Sequence, residues 1–136
     1  LYCRSDPESK FELQSGSAGK TRRFRLGDLS AEIALITPGQ KITYITDVAY
    51  NQSNAKKIVA LAKDSDYFFI EAVFLDIHKE MAAEKKHLTA GQAGMLAARA
   101  GVKQISVFHF SPRYAGEEAI LREEARRAYE EQKADD

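Results

Sequence analysis

The 136-residue sequence predicts an α/β fold in which a layered sheet carries helices on its outer face. From Leu29 onward, short apolar runs typical of strands alternate with amphipathic patterns typical of helices. Hydrophobic residues make up 44% of the chain and charged residues 29%, which is enough apolar material for a buried core. This composition excludes a globally disordered or low-complexity chain.

The charge and cysteine content narrow the classes of partner and compartment. The 20 basic and 20 acidic side chains give no net charge, which argues against an anionic membrane surface or bulk nucleic acid as a partner. No apolar run approaches the ~20 residues of a membrane span. Cys3 has no second cysteine to pair with and no signal peptide is recognisable, so we expect a reducing, cytoplasmic setting. The chain begins with Leu1, which is typical of processing or of a chain cut from a longer one.

The first 39 residues predict strands and turns. Residues 1–28 are expected to form two short strands joined by a flexible basic loop. Residues 29–37 alternate apolar and polar side chains, which is the pattern of a half-buried strand. Pro38 and Gly39 then predict a tight hairpin turn. The basic residues of the loop are Lys20, Arg22, Arg23 and Arg25.

Three later runs also predict strands, and each is followed by a residue that can take part in chemistry. The first run is rich in branched and aromatic side chains. The other two are apolar enough to be buried on both faces. The runs and the residues that follow them are 41–46 with Asp47, 67–70 with Glu71, and 102–108 with His109.

Helices are predicted between and after these strands. The first follows a cap at Ser53 or Asn54, and residues 76–85 form the second. Thr89 is expected to cap the third. The last covers residues 116–132, where acidic residues precede basic ones at i, i+4 spacing, so we expect it to be largely solvated. The pairs at this spacing are Glu118 with Arg122 and Glu123 with Arg127.

The three residues that follow strands are expected to meet. In layered α/β proteins the carboxyl ends of parallel strands share one rim of the sheet, where ligands bind. Asp47, Glu71 and His109 would lie at this rim, and His87 begins the helix that leads to the last strand. Two carboxylates and two imidazoles suit a divalent metal and proton transfer. Taken singly, each also fits a structural role, as a turn-forming Asp, a paired buried Glu, a solvated His or a core His.

The segment after the last strand adds a pattern that suits phosphate. His109 is followed by Ser111 and Arg113 on an extended turn held by Pro112. A guanidinium supplies paired donors to phosphate oxygens. On its own, the segment reads as a proline turn with a surface arginine, and it gains its functional meaning only beside the strand-end residues.

Together these residues resemble the C-terminal half of the metallo-β-lactamase fold, and most of all its tRNA 3′-processing branch, the ribonuclease Z family. The family's motifs in this half are a strand-ending aspartate, a His-Glu-Ala-Thr-Phe-like segment, a His-Ser-Thr-like segment and His-x-Ser-x-Arg-Tyr. The resemblance covers about residues 31–114 and rests on four segments in the same order. These segments are 46–48, 70–74, 87–89 and 109–114.

The resemblance implies a role for each matched residue. Asp47 would bridge two zinc ions and His109 would be a terminal ligand of one of them. Glu71 would orient the imidazole of His87, which in its protonated form would assist departure of the leaving oxygen. Two metal ions and a positioned acid together suit phosphodiester hydrolysis. Substrate phosphate would be held by Ser111 and Arg113.

Four positions depart from the family pattern. Ile70 stands where the family often has histidine, and Val73 replaces threonine. Thr46 and Val48 differ from the residues that usually flank the aspartate. The resemblance therefore implies either a tRNA precursor as substrate or a related hydrolase that acts on a non-RNA phosphodiester.

The family's His-x-His-x-Asp-His motif, which supplies most zinc ligands, has no counterpart here. The only histidines are His78, His87 and His109, and His78 is expected on a helix away from the rim. Asp47 and His109 are then too few for a zinc site, which needs about three or four protein ligands. A complete domain would hold about two zinc ions, whereas this chain alone is expected to bind them weakly or not at all.

We therefore interpret residues 1–136 as a single partial domain. Its parts are the basic loop and short strands of residues 1–28, a motif-bearing half over 29–114, and a C-terminal helix over 115–136. Such a half is expected to be inactive alone and to expose an apolar sheet face. Its expected partner is the missing N-terminal half or a second copy of itself, as a homodimer, with no membrane.

Three alternatives remain open at the level of sequence. The chain could be a non-catalytic homodimeric module or fragment of the same fold. It could also be a small doubly wound ligand-binding domain, although no Gly-rich phosphate loop follows a strand. Separately, the basic residues between 20 and 25 could contact RNA, in which case binding would weaken steeply with salt.

Overall fold

The computed structural model describes residues 6–15, 20–33 and 39–134. The chain divides into two compact units, Leu1–Gly39 and Gln40–Asp136, and each is described by itself. The second unit contains all the candidate site residues identified above. None of the described helices has the length and apolar character that crossing a bilayer requires.

The first unit contains an antiparallel hairpin. Strand β1 spans Lys10–Ser15 and strand β2 spans Lys20–Arg25. The hairpin confirms the two predicted strands, but the basic residues lie in β2 rather than in a loop. At Arg23 this position has a physical reason, because Glu12 of β1 stands opposite and opposite charges stabilise cross-strand pairs. Arg23 and Glu12 face each other in this way, with 2.5 Å between Nε and Oε1.

The hairpin is followed by helix α1, which spans Leu26–Ile33. The strand predicted for residues 29–37 is therefore wrong over its described part. Leu29 and Ile33 also have the i, i+4 spacing of a helix, and Asp28 lies in the first turn, where a carboxylate stabilises the helix dipole. The rest of the predicted strand and the first residue of the predicted hairpin turn lie outside the described residues.

The second unit is built on a three-stranded parallel sheet with the order β3-β4-β5. The strands span Ile42–Ile45, Tyr67–Glu71 and Gln104–Phe108. These bounds confirm the three later predicted strands. Because the strands are parallel, their carboxyl ends lie at the same edge of the sheet.

The described helices of the unit are α2 (Gln52–Ala62), α3 (Lys79–Lys85), α4 (Ala90–Arg99) and α5 (Glu118–Ala134), with 3₁₀ turns at Asp76–His78 and Pro112–Tyr114. Helices α2, α4 and α5 pack on one face of the sheet. Phe68 and Ile70 of β4 and Leu96 of α4 are fully buried beneath them. Each such side chain contributes about 1.5–3 kcal/mol when it leaves water, so this face holds the unit together.

The opposite face of the sheet is apolar and open. Ile42 and Tyr44 of β3 are 62% and 60% exposed, and Phe69 and Phe108 share their face. The rings of Tyr44 and Phe108 stack across the central strand, with 4.8 Å between their centroids. Strand β5 is consequently not the buried strand predicted, because helices cover it on one face only and it lies at the edge of the sheet.

Of the two predicted helix caps, the cap of α4 is observed and the cap of α2 lies at a different residue. Thr89 caps α4 as predicted, and its hydroxyl accepts the Gln92 N–H at 3.2 Å in a capping box. Helix α2 is capped by Asn51, whose side chain accepts the Asn54 N–H at 2.8 Å, rather than by Ser53 or Asn54. Both Asn and Ser can cap a helix, so the residue that caps α2 is determined by where the helix begins.

Helix α5 carries ion pairs, but with other partners than the predicted ones. Arg126 pairs with both Glu123 and Glu130, at 2.6 Å each. The predicted partner of Glu118 is engaged elsewhere, because Arg122 donates to the carbonyl oxygen of Val107 at 3.1 Å. Spacing on one helix does not reveal such a contact with a neighbouring strand.

Asp66 ties together the starts of the three strands. Its carboxylate accepts the backbone N–H of Lys41 and the ammonium of Lys103, both at 2.7 Å. The hydrogen bond from Lys103 is the main cause that lowers the pKa of Asp66 from its ordinary value of 3.8. Since the pKa is lowered in the folded state, the stability that this group contributes is present above 3.8 and is lost as the pH falls through the lowered pKa.

Candidate metal and catalytic site

Four side chains meet at the carboxyl edge of the parallel sheet. Asp47 follows β3, Glu71 ends β4, His109 follows β5, and His87 precedes α4. Each offers one potential ligand atom, and these atoms all lie within 4.8 Å of one another. The structure thus brings together the four residues that the sequence places at the rim. We call this group the strand-end cluster.

Glu71 is the centre of the strand-end cluster and is fully buried. Its carboxylate accepts the Leu88 N–H at 2.9 Å and the Asp47 N–H at 2.5 Å. The Nδ1 atoms of His87 and His109 lie 3.2 Å and 3.3 Å from its oxygens. A buried carboxylate needs such donors, and here they are two backbone amides and two imidazoles, with the Thr46 hydroxyl at 3.5 Å as a further donor. Glu71 is therefore suited to fix the other three residues.

The imidazoles are held so that one nitrogen of each remains available. Where Nδ1 donates a proton to Glu71, Nε2 points away from the carboxylate and can bind a metal or carry a proton. The rings of His87 and His109 meet edge to face, with 5.3 Å between their centroids. The His87 side chain is 24% exposed and that of His109 42%, so both nitrogens can reach a ligand.

Two members of the strand-end cluster have an unusual backbone. Asp47 has φ 52° and His109 has φ 60°, both in the left-handed region. This conformation costs a non-glycine residue about 1–2 kcal/mol. Such residues concentrate at functional sites, where the surrounding contacts hold them. At Asp47 the hydrogen bond from its N–H to Glu71 is one such contact, and it leaves the Asp47 carboxylate 68% exposed.

The position of His87 is fixed by the start of α4. Leu88, the next residue, is fully buried and donates its N–H to Glu71. Thr89 is also fully buried, and its hydroxyl donates to the carboxylate of Asp76. Gly91 allows this arrangement, because a Cβ at that position would lie 2.1 Å from Oδ2 of Asp76. The loop before α4 is thus packed too tightly for His87 to move far.

An open cavity of ≈560 Å³ lies beside the strand-end cluster. His87 and His109 line it together with Ser111 and Arg113. Ser111 also has a structural role, because its hydroxyl accepts the Arg113 N–H at 3.4 Å and caps the 3₁₀ turn.

Sequence reasoning missed several residues of this cavity, two of which bear on its chemistry. Lys85 ends α3 and Phe110 lies between the two predicted residues His109 and Ser111, and both line the cavity. Nothing in the local pattern distinguishes Lys85 from the neighbouring surface lysine. His78 lies outside the strand-end cluster as predicted, and its Nδ1 is 2.7 Å from the hydroxyl of Tyr114.

The donor set suits a divalent ion, and its members differ in how well they suit metal binding. The carboxylate of Asp47 and the imidazole of His109 are both exposed and are ligand types that zinc accepts. Glu71 is buried and already accepts two backbone N–H groups, which suits it to orient the histidines rather than to bind metal. The described residues therefore offer a candidate site for a divalent ion, in which Asp47 and His109 are the exposed potential ligands.

Comparison with known proteins shows which proteins this chain is related to. No family model matches the chain. It is 43% identical to ribonuclease Z from Thermobifida fusca over 88 residues, which cover 65% of this chain and 26% of that protein. It is 38% identical to ribonuclease Z from Kineococcus radiotolerans over 105 residues, which cover 77% of this chain and 31% of that protein. This chain is a partial homologue of ribonuclease Z. It spans about a quarter to a third of the length of these two ribonuclease Z relatives.

A solved structure supports the same fold. The metallo-β-lactamase fold protein YhfI from Bacillus subtilis matches with a TM-score of 0.55 and 22% identity. The match covers 65% of this chain and 33% of YhfI. The chain therefore has part of a metallo-β-lactamase fold, which confirms the predicted fold class over the doubly wound alternative.

Proposed function

We propose that this chain supplies the C-terminal half of the active site of a zinc-dependent phosphodiester hydrolase of the ribonuclease Z type. The observation that carries the proposal is the strand-end cluster, in which a fully buried Glu71 holds two histidines beside the exposed carboxylate of Asp47. A structural ion pair does not need left-handed residues at the ends of both strands that flank the strand of Glu71. The homology to ribonuclease Z over most of the chain supports the same reaction.

In this proposal each residue has one role. Asp47 and His109 would hold zinc, which when bound supplies a nucleophilic hydroxide and stabilises the charge on the phosphate. Glu71 keeps the proton of His87 on Nδ1, so that Nε2 of the protonated ring can give its proton to the leaving oxygen. Ser111 and Arg113 hold the substrate phosphate at the cavity. The substrate would be a tRNA precursor, as the resemblance to the ribonuclease Z family implies, or another phosphodiester.

The same proposal explains the open face of the sheet. An apolar face with Ile42 and Tyr44 more than half exposed is unusual for a protein that works alone. We infer that it packs against the half of the enzyme that carries the remaining zinc ligands. A second copy of this chain could cover the same face, but it would bring only another incomplete ligand set, so a homodimer fits the non-catalytic alternative better.

Zinc binding tests the proposal. The chain alone is expected to bind zinc weakly, with two exposed ligands. The complement is a fragment of the Thermobifida fusca ribonuclease Z that lacks the 88 residues matched by this chain. Mixing the two should give a complex, seen by size-exclusion chromatography with light scattering, that holds about two zinc ions by isothermal titration calorimetry.

Asp47→Ala should reduce the zinc content of that complex, and Asp64→Ala, in a left-handed turn at the other end of the sheet, should not. A complex that forms and binds no zinc, or one in which Asp47→Ala retains all of it, would contradict the proposal. A chain that forms only dimers with itself would favour the non-catalytic module.

A further inference from the structure

Part of the wall of the cavity beside the strand-end cluster is apolar, and phosphate binding does not explain this apolar part. Besides its polar residues it is lined by four apolar side chains and a proline. Val73 and Phe74 are 6% exposed each, so they form a fixed surface rather than a flexible one. The apolar lining residues are Val73, Phe74, Met81, Phe110 and Pro112.

In this wall, the aromatic ring of Phe110 is held in place by a cation on one of its faces. The guanidinium of Arg122 lies over its ring, 4.8 Å from the centroid. Arg122 is itself fixed by its hydrogen bond to the carbonyl oxygen of Val107. Because the cation covers one face of the ring, a ligand in the cavity would use the other face. The contact also orients the ring before any ligand arrives.

Two cations reach the same cavity from different elements. Lys85 ends α3, and Arg113 lies on the 3₁₀ turn after β5. One phosphate held by Ser111 and Arg113 does not require Lys85. An aromatic platform with cations on separate elements fits a ligand that combines a flat apolar ring with phosphate groups, which is a nucleotide. A volume of ≈560 Å³ is in the range of pockets for ligands of this size.

We propose that this cavity is a nucleotide subsite, in which an unpaired base stacks on Phe110 and its phosphate lies between Lys85 and Arg113. The proposal rests on the proposed function for its place in the reaction, where it would hold the nucleotide next to the cleaved phosphate. It requires an unpaired nucleotide, because a base inside a duplex cannot stack on a side chain. Phe110 and Lys85 are then binding residues that set specificity.

Nucleotide binding without metal tests this subsite. The full chain is titrated in the presence of a chelator with adenosine 5′-monophosphate and, separately, with ribose 5-phosphate, and binding is followed by NMR chemical shifts. Stacking should make the nucleotide bind about tenfold more tightly than the sugar phosphate. Phe110→Leu should remove this difference and Phe110→Tyr should keep it. Phe11→Leu, at an exposed phenylalanine of the first unit, is the matched control.

Lys85 is tested with the same two ligands. Lys85→Gln should weaken both by a similar factor of several-fold, whereas Lys57→Gln, at an exposed lysine of α2, should change neither. Equal affinity for the two ligands, absence of binding of either, or a Phe110→Leu variant that still prefers the nucleotide would overturn the subsite. These titrations need neither zinc nor a partner, so the proposed hydrolase can fail while the nucleotide subsite stands, and the reverse also holds.

Discussion

Replacing His87 by glutamine is expected to lower kcat of the complemented complex by about 10²–10⁴-fold, the usual contribution of a positioned general acid. Glutamine can still accept or donate a hydrogen bond at Glu71, but it has no proton to give to a leaving oxygen at neutral pH. KM should change little, because the cavity that holds the phosphate is lined mainly by other residues. Steady-state hydrolysis of an RNA substrate, with zinc content measured in parallel, checks this result.

The matched control is His78→Gln. His78 is the histidine that lies outside the strand-end cluster, hydrogen-bonded to Tyr114. It should leave kcat within a few-fold of the unchanged complex, and since its Nε2 lies 3.5 Å from Nη1 of Arg113, any effect is expected on KM. If His87→Gln keeps full activity at unchanged zinc content, the proposed proton transfer is wrong. A substrate with an activated leaving group such as p-nitrophenolate should be much less sensitive to His87→Gln, since it departs without a proton.

Replacing Gly94 by alanine is expected to destabilise the second unit by about 3 kcal/mol, at the upper end of the range for overpacking. The new Cβ would lie 2.1 Å from the carbonyl oxygen of Ala125, where α4 crosses α5. Backbone cannot rotate away as a flexible side chain can, so one of the two helices must shift. Because α4 begins at the loop that carries His87, the same shift should disturb the strand-end cluster.

Urea unfolding followed by circular dichroism measures this loss, and Lys57→Ala is the control. Lys57 is an exposed residue of α2 in the same unit, so that variant should unfold within about 0.5 kcal/mol of the unchanged chain. Equal stability of the two variants would mean that α4 and α5 pack less closely than described. The comparison is valid for the second unit only if both variants unfold with the same slope against urea.

The site is predicted well from sequence because its residues follow strands. A parallel sheet places every carboxyl end at one edge, so Asp47, Glu71 and His109 meet whatever the details of the loops. The position of His87 is harder to predict from sequence, because His87 follows a helix. Its position depends on contacts of Leu88 and Thr89 that no local pattern reveals. The roles of these residues remain proposals, whereas their proximity is a property of the fold.

The failures have a common physical cause, which is that local patterns omit long-range contacts. Residues 29–33 satisfy both a strand and a helix period, and the helix forms. Strand β5 is apolar enough for a central strand, yet its position at the sheet edge leaves one face open. Arg122 has the spacing for an ion pair on α5, but it turns to β5 and to Phe110 instead. In each case the deciding contact is distant in sequence.

Hydrolysis by the complemented complex tests the central claim most directly. The chain and the Thermobifida fusca fragment are mixed with zinc, complex formation is verified by light scattering, and cleavage of a tRNA precursor and of bis(p-nitrophenyl) phosphate is measured. We expect the mixture to cleave at least one of these phosphodiesters, each component alone to be inactive, and Asp47→Ala in this chain to abolish the activity. A verified complex that cleaves neither substrate, or activity that survives Asp47→Ala, would contradict the claim that this chain completes the active site.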